Sequence, residues 1–326
     1  MAPSDNRSPY SGSPAWRREL ALGVIATLIF FASMLVIPLA GTFFGIFTPM
    51  PTVLFLYRWG SPWGFWVPGI AAVVGFLALS LLSMVEAAPF FVGLLGVGLV
   101  MGWGMRSRWS VEKTVALAGI FLFGLGTVAF WLISMEIEGG LVRHMEESLG
   151  QTISAVLQQY AASSPETRIL EQSLLDFVPT AVRLMPGVAA SSILVVCWLN
   201  LFVALRYCRL HGLPMPLWER WTAWKAPEML VWGVIAAGFM ILLPVRTLSL
   251  LGMNVSMVLG TVYLFQGLAV TSHYFERWRL PRILRAVLYG FCLLQMPATL
   301  GMILLGLADV WIDFRRFPRK PSATSP

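Results

Sequence analysis

Charge is scarce in this chain. Asp, Glu, Lys and Arg together make up 12% of its 326 residues, while apolar residues make up 57%. That balance excludes a water-soluble fold, because so little polar surface cannot cover so much apolar surface. Cysteine and histidine are equally sparse, with three of each. Cys197, Cys208 and Cys292 sit in or beside apolar runs, so they read as small packing residues and not as a disulfide framework. His144, His211 and His273 are far apart and show no metal-ligand spacing. The sequence also lacks a G-x-x-x-x-G-K-[ST] phosphate loop and a G-x-S-x-G nucleophile elbow. No catalytic residue, cofactor or metal is therefore expected, and the chain reads as a non-enzyme.

What is present in quantity is long hydrophobic sequence. Two blocks, 19–134 and 184–308, flank a polar insert at 136–183. A bilayer core of roughly 30 Å is crossed by about 20 apolar helical residues, so each block holds several spans. Nine segments qualify: 19–40, 42–57, 62–84, 87–105, 114–135, 184–207, 228–247, 252–275 and 284–308. Lipid leaves an open strand edge unsatisfied, so the spans are helices. The fold expected is an all-α, polytopic transmembrane helix bundle of eight or nine spans. The second segment carries Thr48-Pro49-Met50-Pro51. Proline removes a donor from the helical ladder, so this span should be bent or partly unwound, with its freed carbonyls bonded elsewhere in the protein.

The net charge of +7 does not indicate nucleic acid, because the basic residues lie in short clusters between apolar spans. With the N-terminus in the cytoplasm, fifteen of them share that side: Arg7, Arg17, Arg18, Arg58, Arg106, Arg108, Lys113, Arg206, Arg209, Arg220, Lys225, Arg277, Arg279, Arg282 and Arg285. Only Arg143, Arg168, Arg183 and Arg246 then fall outside, which fixes the orientation as N-terminus in. The tail, with Arg315, Arg316, Arg319 and Lys320, breaks the pattern if all nine segments cross. The 284–308 segment contains Gln295 and Pro297 and is the candidate for entering and returning on one side. At the tail, Asp313 and Arg316 are spaced to pair on a helix end.

The domain plan follows from these breaks. A polar, Ser- and Pro-rich head (1–18) reads as disordered. A six-helix membrane core (19–207) carries the external insert. A Trp-rich loop (208–227), C-terminal membrane helices (228–308) and a basic tail (309–326) complete it. Two amphipathic helices are expected in the insert, the second starting at Ser164-Pro165-Glu166 with Ser as cap and Pro at the first helical position. In the loop, Trp218, Trp221 and Trp224 recur every third residue, which places them on one side of a short interfacial helix. With Arg220, they are candidates for docking a protein partner.

Polar side chains at membrane depth are the candidates for ligand contact, since such residues face the bundle interior. They are Glu86, Asn200, Asn254 and Gln266, of which Asn200 and Gln266 sit deeper in their spans. Gly98 with Gly102, and Gly60 with Gly64, form G-x-x-x-G spacings that suit close helix packing.

Two stretches carry a resemblance: 254–270, ending Tyr263-Leu264-Phe265-Gln266-Gly267-Leu268-Ala269-Val270, and 306–316, reading Gly-Leu-Ala-Asp-Val-Trp-Ile-Asp-Phe-Arg-Arg. The chain resembles the YybS-like family of bacterial multi-pass membrane proteins, grouped with the substrate-binding S components of energy-coupling-factor vitamin transporters. The resemblance implies an S-component-like six-helix core with added C-terminal helices, placed in a bacterial inner membrane. It departs from the transporter pattern at the first helix, where Ile25 follows Ala21 in place of the second alanine of an A-x-x-x-A docking motif. The function expected is transporter-like binding of a small molecule in the bundle. The alternative is a non-transporting scaffold that recruits cytoplasmic or cell-envelope partners through 218–227 and 277–285.

Overall fold

The order of elements follows the apolar runs, each ended by glycine, proline or a charged turn. The structure, a computed structural model, describes residues 14–37, 39–160, 165–216, 218 and 220–315. Among them all regular structure is helical. The expected start of an insert helix at Ser164, the head before Pro14 and Arg316 lie outside the described residues.

Helix α1 (Pro14–Val36) is followed by α2 (Ala40–Gly45) and α3 (Pro49–Trp59), which together form one interrupted apolar segment. Then come α4 (Trp66–Leu81), α5 (Ala88–Arg106) and α6 (Val111–Glu136). Ser110 caps α6 by accepting from the Lys113 N–H at 3.2 Å. Helix α7 (Leu141–Tyr160) is amphipathic, and α8 (Pro165–Leu210) runs for 46 residues. The remaining helices are α9 (Leu230–Leu242), α10 (Arg246–Arg277), α11 (Arg282–Leu294) and α12 (Met296–Ile312).

Seven helical segments are long and apolar enough to cross a membrane, and the pair α11 and α12, bent by 99°, adds an eighth if taken as one span. The chain is thus an all-α polytopic membrane protein. Three details differ from the sequence expectation. The 228–247 segment yields only the 13-residue α9, because Pro227 and Pro244 bracket it. The second insert helix and the sixth span are one continuous rod, about 69 Å long at 1.5 Å per residue, so a large part of α8 extends past a 30 Å core. Trp218, Trp221 and Trp224 do not share a helix: only Trp221–Ala223 forms a single 3-10 turn, flanked by extended Arg220 and Trp224.

Contacts divide the chain into two compact units. The first comprises Met1–Val182 with Ser192–Trp218, the second Arg183–Ser191 with Glu219–Pro326. In the first unit, α5 lies against α3 through Gly98 and Gly102. A Cβ on Gly98 would stand 2.7 Å from the Pro49 carbonyl oxygen, and one on Gly102 would stand 3.0 Å from that of Val53. Gly60 and Gly64 do not lie on one helix: Gly60 ends α3 in the left-handed region, and Gly64 sits in the turn before α4. Val53, Leu56, Val67, Val97 and Met101 are fully buried there. Large apolar side chains of α4 and α6, such as Val73, Leu77, Ile120 and Trp131, are exposed, as a lipid-facing surface requires.

In the second unit, α9 and α10 form an antiparallel pair, with Gly233 against Leu259 and Gly252 against Ala237. Helix α12 runs parallel to α10. Gly306 meets the Tyr263 backbone, Gln266 meets Asp309, and Tyr274 meets Phe314. Because α11 starts from the Arg277 end of α10 and α12 comes back to that end, the bent pair fits a re-entrant loop better than a single broken span. Residues 313–315 therefore lie at the same end as the Arg277–Arg282 turn. A re-entrant pair would remove the parity conflict that nine crossings impose on the basic tail.

Candidate functional site

Three of the four polar candidates are amides, and each bonds a different segment of the chain. Asn200 lies on α8 with no exposed surface. At the interruption between α2 and α3, Pro49 and Pro51 supply no donors. The Met50 N–H turns to Phe47 O, and Thr48 Oγ1 donates to Gly45 O at 2.6 Å. That arrangement takes the Met50 donor away from Ile46 O, its partner in a regular ladder. Asn200 Nδ2 donates to Ile46 O at 2.7 Å and to Val196 O at 2.9 Å. The bent span and its freed carbonyl, read from the two prolines, thus find their partner on α8. Asn200 Oδ1 is buried and has no hydrogen-bond partner, and Thr52 Oγ1, one turn into α3 and also buried, has none either.

Asn254 lies on α10 beside Pro186 and Gly187 of α8. Its Oδ1 accepts from the Gly187 N–H at 2.6 Å, while Nδ2 donates to Arg183 O at 3.0 Å and to Leu250 O at 2.8 Å. A Cβ at position 187 would stand 2.7 Å from that Oδ1, so the approach depends on glycine.

Gln266 is likewise fully buried. It lies about 30 Å along α10 from Arg246 at 1.5 Å per residue, roughly the whole hydrocarbon thickness. A span that began at Arg246 would end near this level. The Ala226 N–H donates to Gln266 Oε1 at 3.2 Å, and Nε2 donates to Asp309 Oδ2 at 3.0 Å. The same Oδ2 takes Arg315 Nη2 at 2.6 Å, with both side chains fully buried. Arg315 Nη1 donates to Thr222 O and Trp224 O at 2.8 and 2.9 Å. Asp309 Oδ1 accepts from the Phe314 N–H at 3.1 Å, closing the left-handed turn at Asp313. A buried ion pair thus stitches the loop 222–226 to the ends of α10 and α12.

The remaining candidates are placed as follows. Glu86 is exposed in the turn between α4 and α5, away from the amides in sequence. Trp218 Nε1 donates to Trp109 O at 2.6 Å within the first unit. In the second unit Trp224 is buried, Trp221 half-buried and Arg220 exposed. Asp313 pairs with Lys225 Nζ at 2.6 Å, and Arg316, its expected partner, lies outside the described residues. No group of three or more His, Cys, Asp and Glu able to hold a metal occurs among the described residues. Sequence reasoning did not find Thr52, which looks like any other helical threonine, nor the partner of Asp309, which the chain supplies only where it turns back at Asp313.

Helix content, lipid-facing apolar surface and buried polar stitching between segments define a polytopic integral membrane protein. The chain belongs to the family described as predicted membrane protein DUF2232, whose profile matches residues 24–310. No curated protein and no solved structure matches it.

Proposed function

We propose that the protein binds a small molecule among the helices of its first unit, beside the interrupted span, in a transporter-like manner and without catalysing a reaction. The observation that carries this reading is the pair of buried oxygens without partners, Asn200 Oδ1 and Thr52 Oγ1. A buried polar group left unpaired costs about 1–3 kcal/mol, which a ligand donor and acceptor recover. Interrupted helices frame substrate sites in many membrane carriers. The first unit also holds most of the six candidate spans up to Leu210, the number an S-component-like core needs. The proposed setting is a bacterial inner membrane with the N-terminus and the arginine-rich turns in the cytoplasm.

The test is a metabolite screen by thermal shift on purified protein, since a ligand of the native state raises its melting temperature. Thr52→Val keeps the side-chain shape and deletes only an unpartnered hydroxyl. It is expected to raise the unliganded melting temperature, because the unpaired hydroxyl is removed, and to abolish the ligand-induced rise. An unaltered rise in Thr52→Val would place the ligand elsewhere.

A second reading, a scaffold for cytoplasmic or cell-envelope proteins, is favoured by the exposure of Arg220, Arg277, Trp278 and Arg279. Trp224, buried in the second unit, is not available for it. Co-purification of a partner that is lost on joint replacement of Arg277, Trp278 and Arg279, with no ligand shift in any screen, would favour this alternative.

A further inference from the structure

Arginines 58, 106 and 108 converge on a cavity of about 500 Å³ in the first unit, lined also by Tyr57, Met105 and residues 213–216. No acidic side chain lines it. Arg58 is paired with Glu19 of α1 at 2.7 Å. Among the described residues no carboxylate pairs with Arg106 or Arg108. The Arg106 guanidinium occupies the space a Cβ at Gly60 would need, and its Nη1 donates to Tyr57 O at 3.3 Å. Gly60 has a φ of 66° and Arg108 one of 56°, so two left-handed residues shape the opposing turns. The walls are pinned as well. Tyr57 Oη donates to Pro214 O at 2.7 Å, and Trp218 Nε1 holds the far end of the 213–218 loop to Trp109 O.

We propose that this cavity binds a phosphoryl group carried on a short apolar stem. Guanidinium groups match the paired oxygens of a phosphate ester, and basic recesses between membrane helices suit lipid headgroups. The buried Met105 wall with Leu213, Pro214 and Met215 receives the apolar stem. An anionic phospholipid and a soluble phosphate ester share this chemistry. The site is separate from the Asn200 region and stands independently of the function proposed for it.

Full-length protein in phosphatidylcholine nanodiscs, titrated with dihexanoyl phosphatidylglycerol and separately with glycerol 3-phosphate, tests the site by native mass spectrometry. Saturable one-to-one binding is expected. Binding of the lipid alone assigns the site to a membrane lipid, and equal binding of glycerol 3-phosphate assigns it to a soluble ester. The double variant Arg106→Gln/Arg108→Gln is expected to bind about tenfold more weakly or worse, as loss of charged hydrogen bonds predicts. Arg279→Gln/Arg282→Gln, which removes the same charge elsewhere, should bind as the parent does. Arg106→Lys keeps the charge and the fold but loses the fork, and it too should weaken binding. Absence of saturable binding, equal loss in the two double variants, or undiminished binding in Arg106→Lys together with Arg106→Gln/Arg108→Gln would overturn the proposal.

Discussion

Asn254 bridges the Gly187 N–H and the Arg183 carbonyl of α8, the two ends of one rung of its ladder. In a regular helix the Gly187 N–H bonds to Arg183 O, four residues back. Here the N–H meets Asn254 Oδ1 at 2.6 Å and the carbonyl meets Asn254 Nδ2 at 3.0 Å. The amide has one acceptor and one donor group in the geometry of a peptide, so it bridges both. Pro186 sits next to the rung and supplies no donor of its own. A 46-residue helix is thus braced by a side-chain amide one residue past a proline in its apolar half.

Asn254→Leu should destabilise the protein by about 1–3 kcal/mol, since two bonds of roughly 0.6–1.7 kcal/mol each disappear inside a membrane bundle. Gly187→Ala should cost a similar amount, because its Cβ meets the Asn254 side chain and backbone. Combining Gly187→Ala with Asn254→Leu should cost less than the sum, as expected for residues in contact. Denaturant titration in detergent micelles gives all three values. Strict additivity would show that the two positions act separately.

The two tail aspartates should behave differently although they lie four residues apart. Asp309 and Arg315 are fully buried together, and removing one leaves the other charge uncompensated. Asp309→Asn or Arg315→Met should cost about 3–5 kcal/mol and expose the 220–226 loop to protease. Asp313 and Lys225 are each more than a third exposed. Asp313→Ala should therefore change stability by no more than about 1 kcal/mol. Equal losses at the two positions would contradict the burial difference.

Span positions were legible in the sequence because a transmembrane helix is a local property: a run of apolar residues between charged turns. The Pro49 and Pro51 break was legible for the same reason, since proline acts on its own ladder. The partners were not. Asn200 was read as a deep polar residue, but Ile46, which it serves, lies 154 positions away. Gln266 looked central in its span because the length of α10 could not be known; its 32 residues place the amide in the C-terminal part of the helix. The continuity of α8 was hidden because Pro179, Pro186 and the polar insert all resemble stop signals. Beside Pro186 the helix is braced by an amide from another element, a pairing that no local pattern reveals.

The bent pair of α11 and α12 makes a topological prediction. Helices α10 and α12 run parallel, so the Arg277–Arg282 turn and Asp313 must share one side of the membrane. In a variant with Cys197, Cys208 and Cys292 replaced by alanine, cysteines introduced at Arg279 and at Asp313 should react with an impermeant maleimide under the same conditions. A cysteine at Asp176, in the polar-insert portion of α8, should react from the opposite side. In the proposed orientation only the last is labelled in intact spheroplasts. Opposite behaviour of positions 279 and 313 would mean that α11 and α12 cross the membrane as one span.

Asn200 allows the sharpest separation of structural from ligand-binding roles, because its two ends have opposite effects on stability. Its Nδ2 satisfies Ile46 O, which the interrupted ladder leaves free, and removing that donor costs about 1–3 kcal/mol. Its Oδ1 is an orphaned acceptor, and removing it returns a similar amount. Val196 O does not depend on the side chain, since it has a helical partner in the Asn200 N–H. Asn200→Leu deletes both ends and should thus change stability by less than about 1 kcal/mol. Asn200→Asp keeps the acceptor, loses the donor and adds a charge at a site with no exposed surface. It should cost at least about 2.5–3.5 kcal/mol, the insertion penalty of a charged residue at membrane depth. Melting and denaturant curves of the two variants give the comparison. If Asn200→Leu were the more damaging of the two, Asn200 would be a structural stitch with no vacancy for a ligand, and the proposed site beside Thr52 would have to be abandoned.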